Sequence, residues 1–180
     1  MNRFAPRNSG EFRHLARRFF STLRGTAPTS TDVTWVRESL SVAEFELWLK
    51  MSPPDQFHSI AVAKRAKDDL PGDVTVVIAG LLHDVGKIAV QSGVITRVVA
   101  AIIKPLATQE RIDGWARETG LLSGLGLFMN YPHIGSGILR DAGSDDFVVR
   151  WAVEHHLPPS EWTVERKRAE VLRRADQFAV

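Results

Sequence analysis

"VTVVIAGLLHDVGK", Val74–Lys87, is the stretch on which the reading of the fold turns. An uncharged run, Val74–Leu82, ends in His83 and Asp84, with Lys87 three residues further on. Its β-branched content suits a buried strand. Its length, extended through Lys87, suits a buried helix, and periodicity does not arbitrate between the two. No other segment offers a partner strand, so the stretch is read as helix. "VITRVVAAII" (Val94–Ile103) carries the same ambiguity and receives the same reading. On a helix, His83 and Asp84 lie about 100° apart and can reach one ion between them. Lys87 is i+4 from His83 and i+3 from Asp84, so it shares their side. A cation beside two metal ligands is no ligand itself; it suits a clamp on an anionic substrate.

The flanking sequence reads as further helices. Ser41 with Glu44 forms a capping-box pattern ahead of "VAEFELWLKM". "SPPD" (Ser52–Asp55) breaks that helix and caps the next, Gln56–Asp69. "LPGD" ends it. Thr108–Glu118 reads as helix and "GLLSGLGLF" as a flexible connection, with too few glycines for a dinucleotide fingerprint. Helices continue over Ile134–Arg140, Phe147–His156 and Glu165–Phe178. The expectation is an all-α chain of about eight helices.

The chain has 180 residues, 44% apolar and 24% charged, which suits one soluble domain with an appendage. It has no cysteine, which excludes disulfides, thiolate zinc sites and iron–sulfur clusters. No run of 18 apolar residues and no secretory h-region is present, so the expected location is cytoplasmic. The net charge of +2 conceals an asymmetry. Residues 1–24 hold six arginines and one acid, a local +5, leaving −3 for the other 156 residues. Phe12, Leu15, Phe19, Phe20 and Leu23 recur among those arginines near helical spacing, as in a basic amphipathic helix. "GTAPTSTD" (Gly25–Asp32) is a linker by composition. Residues 1–34 are therefore expected to be a basic arm and linker, and 35–180 the folded domain. Such an arm suits nucleic acid, an anionic membrane or an acidic partner, or is simply a solvated leader.

Four histidine-bearing positions and one late aspartate stand out. His58 lies early in its helix, His133 follows "NYP", and His155 and His156 form a pair at a helix end. Asp176 sits inside the last helix. Each alone is ordinary. Together with His83 and Asp84 they make an imidazole and carboxylate set suited to Mn, Fe, Co, Ni or Zn. Neutral imidazoles gathered near one place are expensive to bury unless something binds them. Trp151, one turn before His155, is expected to pack behind that ligand.

With these residues in view, the chain resembles the HD superfamily of metal-dependent phosphohydrolases. The pattern of that family, a first His, an adjacent His-Asp and a distant Asp, falls on His58, His83, Asp84 and Asp176. "LLHDVGKIAV" resembles the HD-x-G-K segment of the HD-GYP branch. "YPHIGSGILRDAG" resembles its HPxxGxxIL segment, taken here to place an additional ligand on His133. "WAVEHHLPP" resembles its double histidine, His155 and His156. The resemblance spans about Ser41 to Phe178 and is shared with short bacterial HD proteins. It departs from the branch after His156, where "LPPSEW" replaces the Asp-Gly-x-Gly-Tyr-Pro segment, and at Pro54, where trinuclear members carry Glu. Both departures argue against a cyclic dinucleotide site of that branch.

The resemblance implies an HD-domain helical bundle with a central metal site holding two divalent ions, Mn or Fe favoured and Ni, Co or Zn possible. The implied activity is hydrolysis of a phosphomonoester, nucleotide or phosphodiester by metal-activated hydroxide. Asp84 and Lys87 are the expected catalytic residues; His58, His83, Asp84, His133, His155, His156 and Asp176 are the expected ligands. The alternative is a nucleotide-sensing or scaffold module of the same type without turnover, whose basic arm binds nucleic acid or membrane. The complete ligand set and Lys87 weigh against it.

Overall fold

The structure, a computed structural model, describes residues 27–89 and 130–179, with residues 111, 114, 115 and 126 between them. The basic arm, the helix read over Val94–Ile103 and nearly all of Thr108–Glu118 and of the glycine-rich connection lie outside the described residues. Among the described residues the regular structure is helical, with no strand.

The chain runs through α1 (Ser30–Ser39), α2 (Val42–Leu49), α3 (Pro53–Asp69) and α4 (Val74–Leu82). A 3-10 turn over Val85–Ala89 succeeds α4, and then come α5 (Tyr131–Asp141), α6 (Asp146–Glu154) and α7 (Arg166–Phe178). A short 3-10 turn, Pro159–Glu161, joins the last two. The starts obey local chemistry. Ser41 and Glu44 form the expected capping box. Ser52 caps α3, whose first helical residue is Pro53, where a missing N–H removes no helical bond. Thr29 and Asp32 form a second capping box, so α1 begins at Ser30, inside the stretch whose composition reads as linker. Val36 of α1 is fully buried in the core.

Val74–Leu82 is helix, and it is the central one. Val76, Ala79, Leu81 and Leu82 have no exposed surface, because α4 packs against α1, α2, α3, α6 and α7. A helix buried on nearly all sides carries no amphipathic stripe, which explains why its sequence is apolar apart from Thr75. Its crossing with α3 is close. A Cβ on Gly80 would lie 2.9 Å from the Cα of Ala63. That approach sets His58 of α3 beside the end of α4.

The helix expected to continue to Lys87 stops at Leu82. His83 and Asp84 form a turn, and the amide of Lys87 donates to the Asp84 carbonyl at 3.0 Å, an i−3 bond. Residues three apart eclipse in a 3-10 turn, which sets the side chains of Asp84 and Lys87 together. Gly86 lets this turn touch α5: a Cβ there would lie 1.9 Å from the Tyr131 carbonyl oxygen and 2.8 Å from the Gly135 nitrogen.

Candidate metal centre

Four elements converge on Asp84. His83 and Asp84 come from the end of α4, His58 from α3, His155 and His156 from the end of α6, and Asp176 from α7. Asp84 is buried, at 5% exposure. It belongs to two groups whose potential ligand atoms all lie within 4.8 Å of one another: His58, His83 and Asp84, and Asp84, His155 and His156.

The histidine rings are oriented by the backbone. Nδ1 of His83 lies 2.9 Å from the Gly80 carbonyl. Nδ1 of His155 lies 3.0 Å from the Ala152 carbonyl and 3.2 Å from that of Trp151. Nδ1 of His58 lies 3.3 Å from the Ala179 carbonyl. A carbonyl only accepts, so each Nδ1 carries the hydrogen, and in the neutral ring Nε2 keeps its lone pair. Those Nε2 atoms face carboxylates: His83 to Asp84 Oδ2 at 3.5 Å, His155 to Asp84 Oδ1 at 3.7 Å, and His58 to Asp176 Oδ1 at 2.9 Å. Nε2 of His155 is buried and has no hydrogen-bond partner among the described residues. Trp151 supports this ring, 6.3 Å away between centroids, and itself stacks on Phe147.

The electrostatics follow the same layout. Burial alone would raise the pKa of Asp84, but Lys87 and His83 outweigh it and hold the carboxyl well below its ordinary range. Burial lowers His83 and keeps it neutral. For His58 burial acts downward too, yet its bond to Asp176 prevails and its pKa is raised. Asp176 is correspondingly lowered to about 2, against the opposing effect of burial. Where His58 is protonated, it therefore donates to two acceptors at once.

Lys87 forms an ion pair with Asp84 and a second with Asp55 Oδ1 at 3.3 Å. Burial works against its charge, but the two carboxylates raise its pKa. Its side chain keeps 21% exposure, so the ammonium is tied to the ligand carboxylate rather than projecting freely.

His133 is not brought into either group. It is exposed on α5. The residue turned inward is Tyr131, two positions earlier and about 200° away around the helix. The Tyr131 hydroxyl donates to Asp84 Oδ1 at 2.8 Å and lies 2.6 Å from Nε2 of His156. Burial, then the neighbouring Asp84, pushes its pKa well above the ordinary value. Two signals in the sequence point to it. It is the only tyrosine of the chain. It also holds the first place of the HPxxG pattern, with Pro132 second and Gly135 fifth, so the histidine of that pattern aligns with Tyr131 and not with His133. Asp55, buried at 6% behind Lys87, carries no sequence signal beyond its place in a helix cap.

A buried carboxylate ringed by imidazole lone pairs at the centre of a helical bundle defines a metal-centre protein. The family model described as "HD domain" matches residues 57–180, more than two thirds of the chain, and every residue of the two groups lies within it. The chain belongs to the HD domain family, a family of metal-dependent hydrolases that bind divalent ions. No curated protein and no solved structure matches it. No helix among the described residues is long and apolar enough to cross a membrane.

Proposed function

We propose that this chain is a metal-dependent phosphohydrolase acting on a phosphomonoester, a nucleotide or a phosphodiester. The observation that carries the reading is the pair of Nε2 lone pairs on His83 and His155, each ring oriented by a backbone carbonyl and aimed at the buried Asp84 carboxylate. Buried acceptors facing one another are unfavourable in the absence of a cation, and imidazole with carboxylate is a donor set for first-row transition metals. His58, His83, Asp84 and Asp176 would hold one ion, and Asp84, His155 and His156 a second; Mn or Fe is favoured. A bound divalent ion lowers the pKa of water to near neutral and polarises a phosphoryl oxygen.

The chain supplies the rest. The backbone carbonyls of Gly80, Ala152 and Ala179 hold the imidazoles in the ligating tautomer, the task that outer partners perform in metal sites. Asp55 gives Lys87 a second carboxylate to lean on. With an ion on Asp84, Lys87 would give up that pair while Asp55 keeps it at the site, where its ammonium could bind a non-bridging phosphoryl oxygen and offset the charge that develops there.

The test is a screen of phosphomonoesters, nucleotides and linear and cyclic phosphodiesters with Mn-loaded protein. Turnover of at least one class, abolished by chelator and restored by Mn, supports the reading. Tight binding of a nucleotide without turnover under the same conditions favours the sensing module.

A further inference from the structure

The two ligand groups differ in what already engages them. In the group of His58, His83 and Asp84, Lys87 pairs with Asp84 Oδ2 and Asp176 Oδ1 lies 2.9 Å from Nε2 of His58, while Nε2 of His83 stands open toward Asp84 Oδ2 at 3.5 Å. Neither partner blocks an ion: the lysine side chain keeps 21% exposure and can swing aside, and Asp176 is itself a carboxylate the ion can use. In the group of Asp84, His155 and His156, one hydroxyl serves two of the three ligand atoms. Tyr131 is 2.8 Å from Asp84 Oδ1 and 2.6 Å from Nε2 of His156. It cannot retreat easily. Tyr131 is buried at 5% exposure, and its backbone is pressed against the turn at Gly86, where no Cβ would fit. An ion entering this second group must take Asp84 Oδ1 and His156 from the phenol, and a hydroxyl bond to a buried carboxylate is among the stronger hydrogen bonds.

We infer that Tyr131 sets the order and strength of ion binding, and that the centre fills in sequence. This rests on the reading of the site as a metal centre. The first ion enters the group of His58 and His83. The second enters the group of His155 and His156 only at higher free metal, because Tyr131 competes for its ligands. The number of ions per chain, and with it the two-ion state, then follows metal supply.

The experiment is a titration of metal-free full-length protein with Mn2+, reading free Mn2+ by electron paramagnetic resonance, for wild type and Tyr131→Phe. Phenylalanine keeps the ring that fills the site and removes only the hydroxyl. Wild type is expected to bind in two separated steps. In Tyr131→Phe the second step should tighten roughly tenfold or more, the effect of removing a competing bond to a charged group, while the first stays in place. Two equal steps in wild type overturn the inference whatever the variant does, and leave the metal-centre reading intact. So does loss of the second ion in Tyr131→Phe, which would make the phenol oxygen a ligand rather than a competitor. Binding of a single ion by both proteins also overturns it. No bound Mn2+ in wild type overturns the metal-centre reading and the inference with it.

Discussion

Nε2 of His155 and Oδ1 of Asp84 face each other across 3.7 Å, beyond hydrogen-bond reach, and in the neutral ring neither has a hydrogen to offer. The hydrogen of the ring is committed on the other side, to the carbonyls of Trp151 and Ala152. His83 repeats the arrangement on the other oxygen of the same carboxylate. Polar groups buried in this way are stabilised by what binds between them, and the consequences can be measured.

Ion binding should release a proton from His58 under mildly acidic conditions. His58 is raised above 6.5 because it donates to Asp176, although burial opposes this. An ion needs the lone pair instead, so affinity should rise about tenfold per pH unit below the His58 pKa. For the metal-free protein the sign reverses. The raised His58 stabilises the fold fully below 6.5 and loses that contribution as pH rises through its folded value. Asp176 contributes above 3.8 and loses its share as pH falls towards about 2. Calorimetry in buffers of different ionisation enthalpy checks the proton count. A pH-independent affinity between about 5.5 and 6.5 would show that His58 is no ligand.

Lys87→Met should destabilise the metal-free protein and leave the loaded protein much less affected. It removes the counter-ion of a buried carboxylate, for which about 3–5 kcal/mol is usual, with the lower end fitting a partly exposed lysine. A bound ion replaces that counter-charge. Thermal unfolding with and without Mn reads the difference. Equal losses in both states would mean that Lys87 acts through packing alone. On substrate turnover, the same variant should lose about 2–4 kcal/mol of transition-state stabilisation if Lys87 contacts phosphate.

Gly86→Ala and Gly137→Ala should behave oppositely. The added methyl at 86 would meet the Tyr131 carbonyl at 1.9 Å, and backbone cannot yield as a side chain does. Overpacking of this kind costs about 1–3 kcal/mol or more, and it would push Tyr131 away from Asp84. At Gly137, inside α5, nothing lies within 4 Å of the added methyl, and the change should be neutral or stabilising by about 0.5–1 kcal/mol. Chemical denaturation of the two variants side by side decides this.

Much of this candidate centre is legible in the sequence because its candidate ligands carry their chemistry in their identity. His58, His83, Asp84, His155 and Asp176 are selected by residue type and order alone, and the structure brings them together. The helix starts at Ser41 and Ser52 are legible for the same reason, since capping is local. The break after Leu82 is not. It depends on the contact between Gly86 and α5, more than 40 residues away in the chain, which no local propensity encodes. Tyr131 and His133 show the limit most clearly. Histidine draws attention as a ligand type, yet the helix phase that turns Tyr131 inward turns His133 to solvent. Asp55 is hidden because a helix-capping aspartate and a partner for Lys87 look alike until the fold places them.

The most direct measurement is the metal content of wild type and Asp84→Asn, purified in parallel without chelator and compared by elemental analysis, with helical circular dichroism confirming that both are folded. Asp84 is the one residue common to both ligand groups. Wild type should carry a divalent transition metal and the variant should carry almost none, with phosphoesterase activity lost together with the metal. Asp84→Asn that retains its full metal content and turnover would contradict a metal centre built on Asp84.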